Sequence, residues 1–284
     1  MVAIAEIDKR PVRIYENLFG PVNNLGDITK IEALPAADVW TYSFPCTDLS
    51  IAGKQKGFKG QNSSLIYEVH RLLLSSPKPQ ILVMENVSNI VSATFIKGFK
   101  EWMDLLSGLG YTTTWKKMKG CNYGGGTIRN RVFAISVLND KPFVFPKPTG
   151  THKTVADYLE DFDPKFLVAP AFEYNTKVNY TNTIKIKDYL GGGQGNRIYS
   201  IKGQGITLTA TGGGHGGSSG LYLRPEGVSK LSGVEMAKLM GWSREEALKM
   251  KEVASDREMG FVMGNSIELN VMRAVAKAIV EQYF

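Results

Sequence analysis

The 284-residue sequence has few cysteines, few histidines and no long apolar run. No run approaches the roughly 20 apolar residues that a helix needs to cross a bilayer, and charged residues come too early in the chain for a secretory signal peptide. The two cysteines, Cys46 and Cys121, exclude a disulfide framework. The three histidines, His70, His152 and His215, have no metal-ligand spacing with either cysteine. We therefore expect a cytoplasmic protein without a membrane partner or a metal site.

Basic residues outnumber acidic residues by 34 to 27, and the formal net charge is +7. This excess favours a polyanionic partner such as nucleic acid. It is equally typical of a protein whose surface charge serves only solubility. Charge alone therefore leaves both interpretations open, while the apolar fraction of 43% excludes a wholly disordered chain.

Strand-like and helix-like patterns alternate through the first half of the chain. Short apolar runs of the strand type occur at 2–7, 39–44, 81–84, 111–118 and 131–138. Helical spacing occurs at 11–19, 63–75 and 95–109. The alternation predicts an α/β fold with a parallel sheet that is covered by helices on both faces.

The pattern changes in the second half of the chain. Residues 150–227 are polar, β-leaning and rich in glycine, which predicts a separate small domain. Helical patterns return in residues 228–284, where Ser232 and Glu235 form a capping box that opens a helix, and a final helix closes the chain. We expect 1–149 and 228–284 to pack as one body, with 150–227 inserted between them.

Two reactive side chains follow predicted strands. Cys46 comes directly after a strand and Pro45, and Glu85 ends the next buried strand. The carboxyl ends of the strands in an open α/β sheet form the ligand crevice. A thiolate and a nearby carboxyl group suit attack on an electron-poor ring that is protonated as the attack proceeds. The alternatives are a buried, inert cysteine and a surface acid beyond a strand end.

Arg129 and Arg131 are two residues apart near the start of a predicted strand, so their side chains point to the same side. Guanidinium groups in this arrangement can hold a phosphate or a carbonyl oxygen. Two surface arginines at the entrance of a strand are the alternative.

Taken in this order, these stretches resemble the DNA (cytosine-5) methyltransferase family of bacterial or phage restriction–modification systems. The resemblance runs from Glu6 to the end of the chain. Its motifs are a Phe-Pro-Cys loop at 44–53, Glu-Asn-Val at 85–87, Arg-x-Arg at 129–131 with Thr127 in place of the family's glutamine, a helix at 230–242, and Gly-Asn-Ser-Ile at 264–267. The resemblance implies a Rossmann-like methyltransferase sheet with helices on both faces and a small, mostly β target-recognition domain.

The resemblance also implies a reaction. The target cytosine is flipped out of double-stranded DNA into the site, where the Cys46 thiolate attacks carbon 6 while Glu85 hydrogen-bonds the ring. Carbon 5 then takes the methyl group of S-adenosylmethionine, and loss of the carbon 5 proton releases the cysteine. Arg131 and Arg129 bind the base oxygen or hold the geometry of the site, and their charges favour the thiolate.

Further residues are implied by the resemblance alone. Those expected to bind S-adenosylmethionine are Glu6, Ile7, Asp27, Ile28, Pro45, Leu65, Asn265 and Ser266. Those expected to contact DNA are Ser50, Lys54, Thr207, Leu208 and Thr209. The alternatives are that Asp27 is a turn residue and that Asn265 caps the last helix. The glycine runs within 150–227 either let the backbone approach DNA closely or serve as a flexible connection.

The sequence departs from the family in one respect. The family opens with a strand and an Asp-x-Phe-x-Gly-x-Gly turn that cradles the methionine part of the cofactor, and residues 1–284 contain no such segment. The difference predicts unpaired strand edges. Its explanations are a late start site, a truncated gene, a degenerate protein, or a second polypeptide that supplies the segment to an otherwise monomeric chain. The alternative functions are a catalytically silent DNA-binding remnant and one half of a split methyltransferase.

Overall fold

Two β-sheets and seven α-helices make up the described part of the chain. The computed structural model describes residues 1–44, 65–139, 141–150, 152–191 and 193–284. The helices are α1 (Lys9–Phe19), α2 (Ile66–Ser75), α3 (Ile96–Gly108), α4 (Gly233–Leu239), α5 (Arg244–Val253), α6 (Asp256–Asn265) and α7 (Leu269–Tyr283). None of these helices has the length and apolar character needed to cross a membrane.

The first sheet has four strands in the order β1-β2-β4-β3. They are β1 (Val39–Tyr42), β2 (Ile81–Val87), β3 (Tyr111–Lys119) and β4 (Asn130–Leu138). β1 is parallel to β2, whereas β4 is antiparallel to both β2 and β3. The prediction of a parallel sheet is therefore wrong for β4, whereas β3 runs in the same direction as β1 and β2. The β3–β4 loop (residues 120–129) is shorter than the crossover of about a dozen residues that parallel neighbours need.

Helices cover both faces of the first sheet, as the sequence predicts. Successive side chains of a strand point to opposite faces, so one strand can serve two cores. Leu82 and Met84 of β2 pack on one face with Phe99 of α3 and with α2. Val83 packs on the other face with Val275 and its neighbours on α7. β2 is therefore buried on both faces of the sheet.

Serine and glutamate side chains define where α4, α5 and α6 begin. In each Ser-x-x-Glu box the serine oxygen accepts the glutamate's backbone N–H, and the glutamate carboxylate accepts the serine's backbone N–H. The box predicted at Ser232 and Glu235 is confirmed at α4. A matching box of Ser255 and Glu258 opens α6. These local caps allow three helices to follow one another with short connections.

The prediction of a buried strand at 2–7 is wrong. Val2 and Ile7 are 53% and 76% exposed, and Ile4 makes a single parallel bridge to Asn24. An apolar run forms a strand only where a neighbouring strand pairs its backbone N–H and C=O groups. In the described part of the chain, no strand lies against this segment or against the outer edge of β1.

The second sheet has five strands in the order β5-β9-β8-β7-β6. They are β5 (Leu167–Ala169), β6 (Lys185–Asp188), β7 (Arg197–Ser200), β8 (Leu221–Leu223) and β9 (Val228–Ser229). All neighbours are antiparallel except β7 and β8. The β character expected for 150–227 is thus present, and the last strand lies just beyond residue 227. The domain boundaries themselves remain a prediction.

The second sheet is anchored on α4, α5 and α6. Ile206, Leu208 and Tyr222 share one apolar core with buried residues of these three helices. Arg224 follows β8, and its Nη2 lies 2.9 Å from both carboxylate oxygens of Glu235 on α4. Both side chains of this ion pair are buried, and removing one partner of such a pair leaves an uncompensated charge. The sheet and the helices therefore form one packed unit.

Close backbone packing explains several glycines of the predicted recognition region. A Cβ atom on Gly195 would lie 1.6 Å from the carbonyl oxygen of Gly213, and one on Gly212 would lie 2.1 Å from Gly217. Real Cβ contacts of this length do not occur, so only glycine fits. Neither of the two sequence-based interpretations, a flexible connection or close approach to DNA, includes this role.

A pair of glycine substitutions tests this packing. Gly195→Ala forces the backbone of residue 213 away, and we expect it to lower the free energy of unfolding by about 2 kcal/mol or more. Gly213→Ala is the matched control, because its Cβ would meet no atom within 4 Å, and its effect should stay within about 0.5 kcal/mol. Thermal and denaturant unfolding of both variants gives the comparison. Equal stabilities would contradict the packing account.

Candidate active site

A cavity of about 400 Å³ opens at the carboxyl end of β2, where the sequence predicts the ligand crevice. Six predicted site residues line it: Glu6, Glu85, Arg129, Arg131, Asn265 and Ser266. They come from the N-terminal segment, from β2, from the start of β4 and from the end of α6. Predicted catalytic residues and predicted cofactor residues therefore meet at one place.

Glu85 and Arg131 form the charged centre of this cavity. β2 and β4 run antiparallel, and their register sets Arg131 opposite Val87, two residues beyond Glu85. The side chains consequently point to the same face of the sheet. Arg131 Nε lies 3.2 Å from Glu85 Oε1, and Glu85 is only 5% exposed. The surface-residue alternatives for Glu85 and Arg131 are thus wrong.

The protonation of Glu85 depends on opposing influences. Burial raises the pKa of the Glu85 carboxyl above its ordinary value, and the positive charges of Arg129 and Arg131 oppose that rise. A carboxyl group whose pKa is raised holds a proton nearer to neutral pH than an exposed acid does. Such a group can donate a proton or a hydrogen bond to a ligand in the cavity.

Arg129 links three parts of the structure. The residue is 3% exposed, which also excludes the surface alternative. Its Nη1 donates to the carbonyl oxygen of Leu208 at 3.3 Å, and its Nη2 donates to that of Gly264 at 3.2 Å. The start of β4 is thereby tied to the predicted recognition region and to α6. This arrangement suits the second of its two predicted roles, that of holding the geometry of the site.

Asn86 ties the end of β2 to the chain that follows β1. Its Nδ2 donates to the carbonyl oxygen of Phe44 at 3.1 Å, while its Oδ1 accepts the backbone N–H of Val87 at 2.8 Å. Asn86 belongs to the Glu-Asn-Val motif, yet its positioning role was not predicted. Phe44 lines the cavity and is the last described residue before 65. The predictions for Pro45, Cys46, Ser50 and Lys54 lie outside the described residues.

The predicted cofactor residues divide into two sets. Glu6, Asn265 and Ser266 line the cavity, whereas Ile7, Asp27, Ile28 and Leu65 lie outside its lining. Leu65 stands at the start of α2, and Ile28 packs at the edge of the core beneath α2 and α3.

Local hydrogen bonds test the alternatives for two of these residues. Asp27 Oδ1 accepts the backbone N–H of Thr29 at 3.0 Å and its hydroxyl at 2.8 Å, and these bonds lower the pKa of Asp27. Asp27 is thus at least a turn residue. Asn265 does not cap α7, because Glu268 occupies that position and accepts the N–H of Val271.

The predicted DNA-contact segment 207–209 lies beside the site. Thr207 and Thr209 are partly exposed. Leu208 is 1% exposed, and its side chain belongs to the core on α4, α5 and α6. Its carbonyl oxygen, not its side chain, faces the site, where it accepts a hydrogen bond from Arg129. The segment also accepts a hydrogen bond from Gln194 through the Thr207 carbonyl, at 2.9 Å.

The β3–β4 loop connects the site with this segment. Thr127, which stands where the family has glutamine, is fully buried and bridges to Gly205. Ile128 donates to the Gly205 carbonyl at 2.9 Å, and Gly205 donates to the Gly126 carbonyl at 2.8 Å. These contacts were not predicted from the sequence, because no local pattern indicates that the β3–β4 loop pairs with a residue as distant as Gly205.

Cys121, the cysteine within the described residues, is buried and forms no disulfide bond. Cys121 lies in the β3–β4 loop with 3% exposure, and burial raises the pKa of its thiol. A buried thiol with a raised pKa is a poor nucleophile. Cys121 is therefore suited to a structural role and not to nucleophilic attack.

A comparison with protein families and relatives agrees with these observations. The sequence model described as C-5 cytosine-specific DNA methylase matches residues 1–281. The Type II methyltransferase M.HhaI of Haemophilus parahaemolyticus is 33% identical over 282 residues, which cover 95% of this chain and 84% of the relative. The orphan methyltransferase M.SssI of Spiroplasma monobiae is 30% identical over 277 residues, covering 92% and 70%.

Solved structures agree on the fold. The methyltransferase EhMeth of Entamoeba histolytica superposes with a TM-score of 0.75 at 15% identity, covering 99% of this chain and 90% of its own. The Dnmt2 methyltransferase of S. pombe gives a TM-score of 0.73 at 17% identity, covering 100% and 92%. At this identity the likeness establishes the α/β methyltransferase architecture. With a family match over nearly its whole length, the chain belongs to the C-5 cytosine-specific DNA methylases, a family of DNA cytosine methyltransferases.

Proposed function

We propose that this chain transfers a methyl group from S-adenosylmethionine to carbon 5 of cytosine in a specific double-stranded DNA sequence, with the base flipped into the site and held covalently by Cys46. The main support for this proposal is the cavity that Glu85 and Arg131 line together with Asn265 and Ser266. Phe44 lines the same cavity and precedes Cys46 by two residues. A flipped base entering there has a nucleophile, an acid and a cation within one site.

Each charged group has a step to perform. The Cys46 thiolate adds to carbon 6, and Glu85 hydrogen-bonds N3 and the amine of the base, so electron density moves to carbon 5. The raised pKa of Glu85 supports this role, because a carboxyl group whose pKa is raised takes up a proton more readily than an exposed acid and can share it with N3. After methylation, loss of the carbon 5 proton restores the ring and expels Cys46.

The two arginines have different roles in this proposal. Arg131 contacts Glu85 at 3.2 Å and reaches the base oxygen from the same side. Arg129 fixes the start of β4 through its bonds to the Leu208 and Gly264 carbonyls. Both charges favour the thiolate form of Cys46.

The cavity fits S-adenosylmethionine as the methyl donor. Its volume of about 400 Å³ lies within the range of small-molecule sites. The Glu6 carboxylate can accept hydrogen bonds from ribose hydroxyls, and Asn265 and Ser266 offer polar groups to the methionine end. Ile7, Asp27 and Ile28 are proposed to meet the adenine, and Pro45 and Leu65 are proposed to line the cofactor pocket.

Residues 150–227 form the proposed target-recognition domain. Thr207, Leu208 and Thr209 are proposed to meet DNA near the target base, and Ser50 and Lys54 are proposed as further DNA contacts. The direct link from Arg129 to the Leu208 carbonyl supports this, because it joins the recognition segment to the catalytic cavity. The net charge of +7 supports a polyanionic partner.

Glu85→Gln tests the chemistry. Proton assistance by a positioned carboxyl typically contributes about 100- to 10,000-fold, so methyl transfer should fall by that order while duplex binding persists. Transfer of labelled methyl groups to duplex DNA and a binding titration provide the two readouts. Glu101→Gln, on the exposed face of α3, is the control and should keep full turnover. Near-normal turnover of Glu85→Gln would remove Glu85 from the mechanism.

Exchange of residues 150–227 for the corresponding stretch of a relative tests recognition. The base edges of the major groove distinguish all four base pairs, so methylation should move to the relative's target while Glu85 stays essential. The exchanged stretch should keep Ile206, Leu208 and Tyr222, because these side chains pack on the helices. Sequencing of methylated cytosines reads the outcome. An active chimera that retains the original target would show that recognition lies elsewhere.

A second candidate is one half of a split methyltransferase, or a DNA-binding chain that does not methylate. Residues 1–284 lack an Asp-x-Phe-x-Gly-x-Gly turn, and in the described residues the outer edge of β1 has no strand partner. A second polypeptide that carries this segment could add a strand there. Calorimetry of residues 1–284 with S-adenosylmethionine separates the candidates, because the leading proposal predicts binding and the second candidate predicts none.

A further inference from the structure

Arg10 lies over the aromatic ring of Phe261 at the place where α1 meets α6. The Cζ atom of Arg10 is 3.5 Å from the centroid of the ring, which is a cation–π contact. Phe261 lines the cavity of the candidate active site and also a second cavity of about 940 Å³. A side chain that borders open space on two sides can be shortened without leaving a buried void. The contact therefore belongs to the wall of the site and is open to substitution.

Asp8 holds the guanidinium group of Arg10 in place. Arg10 Nε donates to Asp8 Oδ1 at 2.9 Å, and Arg10 Nη2 donates to Asp8 Oδ2 at 2.6 Å. Oδ1 also accepts the backbone N–H of Arg10 at 2.9 Å, so Asp8 is the N-terminal cap of α1. One carboxylate thus begins the helix and orients the cation through two charge-assisted hydrogen bonds.

The same aspartate orients Glu6, a predicted cofactor residue. The backbone N–H of Asp8 donates to Glu6 Oε1 at 2.7 Å. Within the described residues Glu6 Oε2 accepts no hydrogen bond, and this oxygen is available to a ligand. The backbone of Glu6 is tied to Asn24, whose Oδ1 accepts its N–H at 3.1 Å and whose Nδ2 donates to its carbonyl oxygen at 2.9 Å. These bonds connect Glu6 to the first turn of α1.

The opposite wall of the cavity belongs to α6. Phe261 and Asn265 are four residues apart on this helix, so their side chains lie on the same face. Both residues line the cavity, together with Glu6 and Asp8. A continuous chain of contacts therefore runs from Glu6 on one wall, through the contact of α1 with α6, to Asn265 on the other.

Two further contacts dock α1 away from the cavity. Ile14 is 4% exposed and shares the core of α4, α5 and α6. Arg13 Nη2 lies 2.7 Å from Glu258 Oε1 on α6, and neither of these two side chains lines the cavity of the candidate active site. Loss of the Arg10 contact should consequently free the first turn of α1 while the rest of the helix stays docked.

We infer that Arg10 and Phe261 are positioning residues for the methyl donor: their contact holds Glu6 at a fixed separation from Asn265 and Ser266 across the cavity. This inference rests on the proposed function, which assigns the ribose hydroxyls to Glu6 and the methionine end to Asn265 and Ser266. S-adenosylmethionine has to reach both walls at once. A wall that is free to move must be ordered when the donor binds, and this ordering lowers the affinity.

The experiment compares Phe261→Leu, which removes the ring but keeps an apolar side chain, with Arg10→Gln, which removes the cation. Each should raise the KM and the calorimetric dissociation constant for S-adenosylmethionine about tenfold, the order expected for a cation–π contact. At saturating donor, kcat and the KM for DNA should change by less than about twofold, because Glu85 and Arg131 stand on other elements. A loss of stability alone would not produce this split.

A double variant tests whether both residues act through one contact. Phe261→Leu combined with Arg10→Gln should weaken donor binding no more than either single substitution, since each removes the same interaction. Donor affinities within about twofold of wild type in both single variants would overturn the inference. Effects that multiply in the double variant would also contradict it.

Two controls separate this contact from the general docking of α1. Phe261→Tyr retains the ring and should keep the donor affinity within about twofold of wild type. Arg13→Gln removes the neighbouring ion pair between α1 and α6 and should leave the affinity equally unchanged. A tenfold loss in Arg13→Gln would show that docking of the whole helix sets the affinity, which would contradict the specific role of Arg10.

Hydrogen exchange separates this inference from the proposed function. Mass spectrometry of peptides covering residues 4–15 follows the first turn of α1 on the chain alone, without DNA or methyl donor. Exchange there should be faster in Phe261→Leu than in wild type or Phe261→Tyr, even if the wild-type chain binds no donor. Equal exchange in all three proteins would overturn the positioning role, whatever the binding assays give.

Discussion

A buried carboxylate faces two arginines where β2 ends and β4 begins, and the rest of the described site is arranged around this cluster. Glu85 is 5% exposed and Arg129 is 3% exposed. Moving such charges out of water is unfavourable by several kcal/mol per ion unless partners compensate. The antiparallel register of β2 and β4 supplies Arg131, while carbonyl oxygens of Leu208 and Gly264 receive the Arg129 guanidinium. One electrostatic requirement thus joins the first sheet, α6 and the segment 207–209.

The same cluster explains why the β3–β4 loop is so constrained. Arg129 is its last residue, so the loop must deliver the guanidinium to a fixed place. The loop packs against Glu268 on one side and pairs with Gly205 on the other. Glycines at 120, 125 and 126 allow these close approaches, since a Cβ on Gly126 would lie 2.6 Å from Leu239. The loop therefore packs closely between Glu268 and Gly205.

Local signals in the sequence predicted the elements well. Helical spacing located α1, α2, α3 and α7, and the Ser232–Glu235 box located the start of α4. The position of Glu85 at the carboxyl end of a strand predicted that it would face the crevice. Each of these inferences needs only a short window of sequence. Arg129 and Arg131 stand near the start of β4, and they meet Glu85 because β4 runs antiparallel to β2, which the strand pattern did not predict.

Features that depend on packing between distant segments were not predicted from the sequence. The run at 2–7 is as apolar as a strand, yet no strand among the described residues pairs with it. The direction of β4 depends on loop length rather than on apolar pattern, and the fit of Gly195 against Gly213 involves residues far apart in sequence. Glu268 carried no signal either, because an isolated glutamate before a helix is usually a solvated cap. These features become visible only when distant segments are brought together.

Covalent capture tests the central claim most directly, that Cys46 attacks the base in this cavity. Duplex DNA with 5-fluorocytosine in place of cytosine, mixed with S-adenosylmethionine and the protein, should give a complex that survives a denaturing gel, because fluorine at carbon 5 cannot be eliminated. Cys121→Ser should form the same complex, since Cys121 is buried with a raised pKa. Cys46→Ser should form none. An adduct that persists in Cys46→Ser, or disappears in a folded Cys121→Ser protein, would contradict the account.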